Sequence, residues 1–234
     1  MVPDDSSELL VQYNTGENDT LVLFIGGRGL WQFVTAEQVE QITAQNMETA
    51  WNVARQGGYE DVSLLAVAPG NYGERFLKEE TGLSMENFIK CSNFIGTSFK
   101  MLSQEGIHQA LLAGHVGKLV KVAGGVMNTH SRYGDRRMEI LSACARTVGF
   151  PEADALLPMN TTEEAADFLY EHGYLKQVME QVANQVKAVL EEESGVQTEV
   201  MLFSSNYGLM ARTAGADAYV RELLEMERHG SNDR

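Results

Sequence analysis

The sequence predicts an α/β protein with a mostly parallel sheet of about five strands, helices on both faces of that sheet and a helical second half. Three observations predict this class. Short apolar runs, each closed by a turn-forming residue, alternate with segments of helical spacing in the first half of the chain. Three long helical segments follow, and a last strand and a last helix come after them. No internal repeat or long linker interrupts this order.

The predicted strands are short, continuous apolar runs that end near glycine, proline or serine. They cover 21–25, 62–68, 88–91, 109–113 and 199–204. The predicted helices begin at capping residues such as Thr35 and Thr161, or near a glycine. They cover 36–56, 73–80, 94–104, 117–127, 135–148, 162–172, 175–193 and 216–228.

The domain organisation follows from polarity along the chain. Residues 1–19 are polar and are expected to form a partly disordered leader, whereas residues 20–228 are expected to fold as one domain. The N-terminus has no basic region before an apolar core, and no apolar run has the length of a membrane span. Two widely separated cysteines, Cys91 and Cys144, indicate reduced thiols. We therefore expect a cytoplasmic protein without a membrane partner.

The charge is strongly negative but uneven. A net charge of −15 repels polyanions, so a nucleic-acid partner is not expected. The stretch 115–137 nevertheless contains only one acid, Asp135, and five basic residues: Lys118, Lys121, Arg132, Arg136 and Arg137. A basic island in an acidic protein indicates either an anionic ligand or an internal ion-pair network.

The loops after the predicted strands form a candidate ligand-binding rim, because ligands of open parallel sheets bind beyond the carboxyl ends of the strands. Glycine lets a backbone approach a ligand closely, and helix N-termini offer N–H groups. The alternative is that Gly and Asn serve only the turns. The loops, all rich in Gly, Ser or Asn, are 26–29, 69–73, 91–96, 114–118 and 204–208.

Several familiar motifs fail on this chain. A dinucleotide fingerprint starting at Gly27 needs glycine where Gln32 stands. A P-loop ending at Lys118 needs glycine where Leu112 stands and Ser or Thr where Leu119 stands, which argues against a nucleoside triphosphatase. The five histidines show no His-x-x-x-His spacing, so no metal ligand is expected from the protein. No Gly-x-Ser-x-Gly elbow, the motif of a serine nucleophile, is present either.

Three segments carry a family resemblance: PGNYGERF (69–76), CSNFIG (91–96) and GHVGKLVKVAGGVMNTHS (114–131). Weaker matches follow in the same order: RRMEI (136–140), NTTEEA (160–165) and LFSSNYG (202–208). Together they resemble the CbiD family, the cobalt-precorrin-5B methyltransferases that methylate carbon C-1 in the anaerobic cobalamin pathway.

The resemblance implies a Rossmann-like catalytic domain, S-adenosylmethionine as methyl donor, and a carboxylate-rich corrin precursor that brings its own cobalt. Donor binding is expected at the glycine and asparagine residues of the matched loops: Gly70, Asn71, Gly73, Asn93, Gly96, Gly114 and Gly117. Binding of the corrin precursor is expected at basic and polar residues of the third segment: Lys118, Lys121, Asn128, Thr129, Ser131 and Arg132.

Such a methyl transfer requires mainly that donor and acceptor are aligned and water is excluded. His115 and His130 are the nearby groups that titrate around neutrality, so they are the candidates to handle a proton. The alternative for His130 is a loop residue that satisfies local backbone groups. The alternative for Lys118 and Lys121 is a solvated helix face.

Two departures from the family pattern keep other functions open. Members usually carry a further N-terminal domain with a motif like YTTGTCAAAA, whereas only residues 1–61 precede the matched region here. A family segment like GTTGIVEPMSEEA is replaced by GGRGLWQFVTAEQ (26–38), which predicts a bulky, basic loop at the ligand edge. The hypotheses are a methyltransferase acting alone or with a separate N-terminal-domain chain, a non-catalytic relative that binds corrinoid or S-adenosylmethionine, and a structural or regulatory subunit.

Overall fold

A computed structural model of the chain describes residues 10–13, 20–25, 30–35, 64–83, 88–91 and 93–232. The chain forms two compact units, Met1–Thr49 and Ala50–Arg234. This division differs from the single domain expected over 20–228, and a strand lies inside the expected leader. The helix predicted over 36–56 lies outside the described residues.

The first unit contains an antiparallel sheet of three strands: β1 (Leu10–Tyr13), β2 (Thr20–Ile25) and β3 (Leu30–Thr35), in the order β1-β2-β3. The apolar run predicted as a strand is β2, but its assignment to the parallel sheet is wrong. Its neighbours run antiparallel, with Phe24 opposite both Leu10 and Trp31. The run LWQFVT, interpreted as part of a loop, forms β3 because its aromatic and β-branched residues favour extended backbone.

The second unit contains a mixed sheet in the order β5-β4-β6-β7-β8. Its strands are β4 (Leu64–Ala68), β5 (Phe88–Lys90), β6 (Gln109–His115), β7 (Gln197–Ser204) and β8 (Gly208–Arg212). The first four in spatial order are parallel, whereas β8 runs antiparallel to β7. The mixed α/β class with a mostly parallel sheet is therefore confirmed. The edge strand β8 was not predicted.

Seven α-helices lie in the described part of the second unit. They are α1 (Asn71–Thr81), α2 (Ile95–Gln104), α3 (Val116–Ala123), α4 (Arg137–Thr147), α5 (Thr162–Glu171), α6 (Leu175–Ser194) and α7 (Ala216–Asn232). Each matches a predicted helix, but α3 ends at Ala123 rather than 127. A side chain on Gly124 would collide with Ile140 of α4, since its Cβ would lie 2.4 Å from Cδ1 of that residue.

The sheet is covered on both faces, as its apolar strands require. Alternate residues of β4, β6 and β7 form one face and share a core with α1 and α7. The intervening residues, such as Leu65, Val67 and Leu112, are equally buried, and α3 and α6 pack against β6 and β7. The loops at the carboxyl ends of the strands are thus held by a sheet that has no exposed face in its centre.

A buried carboxylate fixes the end of this sheet. Glu199 of β7 accepts hydrogen bonds from the hydroxyl of Thr213, from the backbone N–H of Gly215 at 3.0 Å and from Nζ of Lys187. Burial acts to raise the pKa of Glu199, but the bonds from Lys187 and Thr213 outweigh it and lower the pKa. The carboxylate therefore stays ionised and ties α6 to the turn between β8 and α7.

We expect Gly73→Ala to destabilise the fold. A Cβ at Gly73 would lie 2.6 Å from the carbonyl oxygen of Ala113 and 2.9 Å from Cβ of Ala68, because α1 packs directly on β4 and β6. Overpacking costs about 1–3 kcal/mol, which outweighs the roughly 1 kcal/mol that alanine gains over glycine inside a helix. Urea denaturation measures the difference, with Glu80→Ala on the exposed side of α1 as control. Equal stability of Gly73→Ala and the wild type would contradict this packing.

Candidate ligand-binding site

The loops that follow β4, β5, β6 and β7 meet at one edge of the sheet. Parallel pairing in the order β5-β4-β6-β7 places the carboxyl ends of these strands side by side. Four of the five predicted rim loops therefore share this edge. The fifth, 26–29, lies outside the described residues.

Asn93 connects three segments at this edge. Its side chain is buried, and Oδ1 accepts hydrogen bonds from Nζ of Lys118 at 3.0 Å and from the hydroxyl of Thr129 at 3.2 Å. The backbone carbonyl of Asn93 also accepts the N–H of Thr129 at 3.0 Å. The structure thus brings together one residue expected to bind the donor and two expected to bind the corrin.

Lys118 lies in the first turn of α3 and reaches towards the loop after β4. Its Nζ is 3.7 Å from the position that a Cβ would take on Gly70. Gly70 has a φ of +90°, so its backbone conformation favours glycine at this position. Burial lowers the pKa of Lys118, and nearby Lys121 lowers it further, whereas Cys91 has the opposite effect.

The N-terminus of α1 lies beside this ammonium group. α1 begins at Asn71, with Gly70 as its N-cap residue, and no side chain caps it. The first N–H groups of a helix have no partner within the helix and carry a partial positive charge. Uncapped N–H groups next to Lys118 suit an anionic group such as a carboxylate. The side chain of Asn71 lies outside the described residues.

His115 ends β6 and caps α3. Its Nδ1 accepts the backbone N–H of Gly117 at 3.1 Å, and its Nε2 lies 3.2 Å from Oε1 of Glu163 in the first turn of α5. These partners define a neutral imidazole that is protonated on Nε2. Burial lowers the pKa of His115; Lys118 lowers it as well, and Glu163 opposes both.

Glu163 was not predicted as a site residue. The signal available in the sequence was the capping pattern of NTTEEA, which predicted the start of a helix but not its neighbour. In the structure the N-termini of α3 and α5 touch, since a Cβ on Gly117 would lie 3.3 Å from the hydroxyl oxygen of Thr162.

The basic island divides into groups with different roles. Lys121 is buried, and its Nζ lies 3.4 Å from the carbonyl oxygen of Thr129 and 3.3 Å from that of Gly134. It is therefore not part of a solvated helix face. Arg137 pairs with Asp135, and hydrogen bonds from Arg137 are the main reason that the pKa of Asp135 falls to about 2. The internal-network interpretation thus applies to this pair, whereas Lys118 lies at the ligand edge.

The 128–132 loop is held mainly through its backbone. Oδ1 of Asn128 accepts the N–H of His130 at 3.1 Å, and the carbonyl of His130 accepts the N–H of Tyr133 at 3.2 Å. The side chain of His130 is half-buried. Ser131 is exposed, and the side chain of Arg132 lies outside the described residues.

Several predicted donor-binding glycines are required by packing. A Cβ on Gly96 would lie 2.6 Å from Cβ of Met127, and one on Gly114 would lie 3.0 Å from Cγ of Pro69. A Cβ on Gly73 would lie 2.6 Å from the carbonyl oxygen of Ala113, and one on Gly117 would lie 3.2 Å from Nδ1 of His115. At Gly73 and Gly96 the need for glycine therefore follows from the fold itself, whereas Gly114 and Gly117 are tightly packed against side chains.

Other chemistry at this edge is limited. Burial raises the pKa of Cys91 to about 12, so its thiol stays protonated and is a poor nucleophile. Among the described side chains, no group of three or more His, Cys, Asp and Glu residues could hold a metal ion. No helix in the described ranges is long and apolar enough to cross a membrane.

Comparison with known proteins identifies relatives of this chain. The model of the CbiD C-terminal domain matches residues 128–214. Proteins named cobalt-precorrin-5B C(1)-methyltransferase are 35% identical in Listeria monocytogenes serotype 4a, 33% in Alkaliphilus metalliredigens and 34% in Clostridioides difficile. The alignments cover 72%, 72% and 68% of this chain but 46%, 45% and 41% of the relatives, so the chain spans less than half their length. No solved structure matches the chain significantly.

We expect Lys121→Met to destabilise the protein by about 1–3 kcal/mol, because two carbonyl oxygens beside a buried ammonium lose their donor. Differential scanning calorimetry or urea denaturation measures the loss. Lys100→Met, at an exposed position of α2, is the control and should change stability by less than about 0.5 kcal/mol. Unchanged stability of Lys121→Met would mean that Nζ does not hold the 129–134 loop.

The His115 imidazole predicts a pH dependence of stability. Its pKa in the folded chain is below the ordinary value of 6.5, so the unfolded chain binds more protons between these two values. Its contribution is complete above pH 6.5 and is lost as the pH falls towards the folded-state pKa. We expect His115→Asn, which keeps a capping acceptor, to flatten the slope of unfolding free energy in this window. Equal changes in His115→Asn and in the exposed control His108→Asn would contradict the assignment.

Proposed function

Because residues 128–214 belong to the CbiD C-terminal domain family, we propose that this chain takes part in the methylation of carbon C-1 of cobalt-precorrin-5B in cobalamin biosynthesis. The observation that carries the proposal is the Asn93 connection, through which the segments CSNFIG and GHVGKLVKVAGGVMNTHS meet at one edge of the sheet. The parallel strand order supports a Rossmann-like assignment of the second unit.

S-adenosylmethionine fits this edge as the methyl donor. Its carboxylate suits the uncapped N-terminus of α1 beside Lys118, where glycine at position 70 places no side chain between that N-terminus and Nζ. When bound, the donor supplies a methyl group that its sulfonium has already activated. We assign Gly70 and Asn71 to its amino-acid end, as expected, and also Lys118, which the sequence had assigned to the corrin. Asn93, expected to bind the donor, holds Lys118 in place.

The acceptor would be the carboxylate-rich corrin precursor. We assign its contacts to the 128–132 loop, which carries Asn128, Thr129 and exposed Ser131 beside the donor residues. Lys121 supports this loop through the carbonyl of Thr129 and supports the turn that follows it through the carbonyl of Gly134. Its contribution to binding the corrin would therefore be indirect.

The protein's part in the reaction is mainly to align the reactants and exclude water. His115 is the group at this edge that is suited to accept a proton at neutral pH. Burial lowers its pKa, so the imidazole is in its basic form there.

The proposal has two versions, one with catalysis and one without. The chain covers less than half of the methyltransferases it resembles, so catalysis could need a separate chain that supplies the remaining part. The alternative is a relative that binds corrinoid or S-adenosylmethionine without turnover. The same edge would serve both versions, and they differ in whether methyl transfer is observed.

Calorimetric titration with S-adenosylhomocysteine, the product form of the donor, tests the proposed donor site. We expect one-to-one binding, which Lys118→Met weakens by about tenfold or more, because it removes a charge-assisted hydrogen bond. Lys176→Met, at an exposed position of α6, should bind as the wild type does. Equal affinities of the wild type and Lys118→Met would contradict the assignment of Lys118.

Adding the corrin precursor to the same samples separates the functions. Methyl transfer, with or without an added N-terminal-domain chain, would support the enzyme. Corrinoid binding without transfer under both conditions would favour the non-catalytic relative, and binding of neither ligand would overturn the proposal.

A further inference from the structure

Glu163 meets His115 across two elements that are far apart in sequence. His115 ends β6, whereas Glu163 lies in the first turn of α5. The pair is half-buried: the side chains keep 22% and 33% of their exposure. A carboxylate held in this way loses less of its interaction with the imidazole to solvent than one on an open surface.

Both carboxylate oxygens of Glu163 are engaged. Oε1 lies 3.2 Å from Nε2 of His115, and Oε2 accepts the hydroxyl of Thr162 at 3.0 Å. The side chain is thereby fixed in direction by its neighbour on α5. The opposite ring nitrogen of His115, Nδ1, accepts the N–H of Gly117. Nδ1 is consequently the only ring atom with a lone pair that can take a proton.

We propose that Glu163 is the positioning residue for His115, holding the imidazole with its proton on Nε2 so that Nδ1 is the proton acceptor at the carboxyl edge. The inference rests on the proposed methyl transfer. Methyl transfer would form a carbon–carbon bond at the ring and break the bond between the methyl group and the sulfonium, whose electron pair leaves with the neutral thioether. A positive charge is then left on the ring system, and loss of one proton from that system restores neutrality. That proton bonds to Nδ1 in place of the Gly117 contact, while the electron pair of the broken bond stays in the ring. The Glu163 carboxylate stabilises the imidazolium that forms.

The charged groups around His115 set the expected effect of removing this carboxylate. Glu163 on α5 favours the imidazolium, whereas Lys118 on α3 disfavours it. Glu163→Gln keeps an oxygen that can accept the Nε2 proton but removes the negative charge. The variant should therefore keep the tautomer and make His115 a weaker base.

Nitrogen-15 NMR of the histidine rings tests the proposal without turnover, with the His115 signals assigned from His115→Asn. We expect Nδ1 of the wild type to be the unprotonated nitrogen, and we expect Glu163→Gln to lower the titration midpoint of His115. Glu163→Asp, which keeps the charge, should restore the midpoint at least in part. Glu164→Gln removes a charge from the same helical turn and should leave it unchanged. An unchanged midpoint in Glu163→Gln, or a proton on Nδ1 in the wild type, would overturn the proposal.

The pH profile of methyl transfer, measured with any added chain that turnover needs, gives the second readout. Glu163→Gln should lower kcat by about tenfold or more and shift the acid limb of kcat to lower pH, with KM for the donor little changed. A lower kcat with the acid limb in its wild-type position would show a merely structural role and overturn the proposal. Absence of transfer by the wild type would instead count against the proposed function, and the NMR titration alone would then decide the role of Glu163.

Discussion

One buried amide oxygen, Oδ1 of Asn93, holds the candidate site together. An amide oxygen has two lone pairs, and here one accepts Nζ of Lys118 and the other the hydroxyl of Thr129. Because both are used within the protein, this atom has no capacity left for a ligand. Its role is to fix a cation and a loop relative to each other. A buried network of this kind is costly to leave partly satisfied, so the three segments are ordered together.

Most strands of the sheet that carries this network could be predicted, but it could not be predicted which apolar runs belong to that sheet. β4, β6 and β7 are continuous apolar runs because both faces of a parallel sheet are covered. The run 21–25 has the same composition, yet it pairs with β1 and β3, since an apolar run does not specify whether its partner is parallel or antiparallel. β8 is a half-exposed edge strand, and its sequence GLMAR lacks the strong apolar pattern on which the prediction depended.

The site could be predicted where its residues lie close together in the sequence. Loops rich in Gly and Asn after strands indicated four segments that do share an edge, whereas the fifth, 26–29, follows a strand of the other sheet. Lys118 and Lys121, three residues apart on one helix, were expected to act together, but the end of α3 and the return of the 129–134 loop bury the second more completely than the first. Glu163 was missed because its contact with His115 depends on how α5 packs across the edge of the sheet, and no local sequence pattern encodes that packing.

An anionic ligand must be attracted to this edge although the chain as a whole is negatively charged. A net charge of −15 repels a carboxylate-rich molecule at long range, but at an ionic strength of 0.1 M exposed charges are largely screened beyond about 10 Å. Attraction must therefore come from groups within that distance. The ammonium of Lys118 and the uncapped N-terminus of α1 supply it. Asp135, the one acid within residues 115–137, forms an ion pair with Arg137, so no acid of that stretch is left to offset the charge of Lys118.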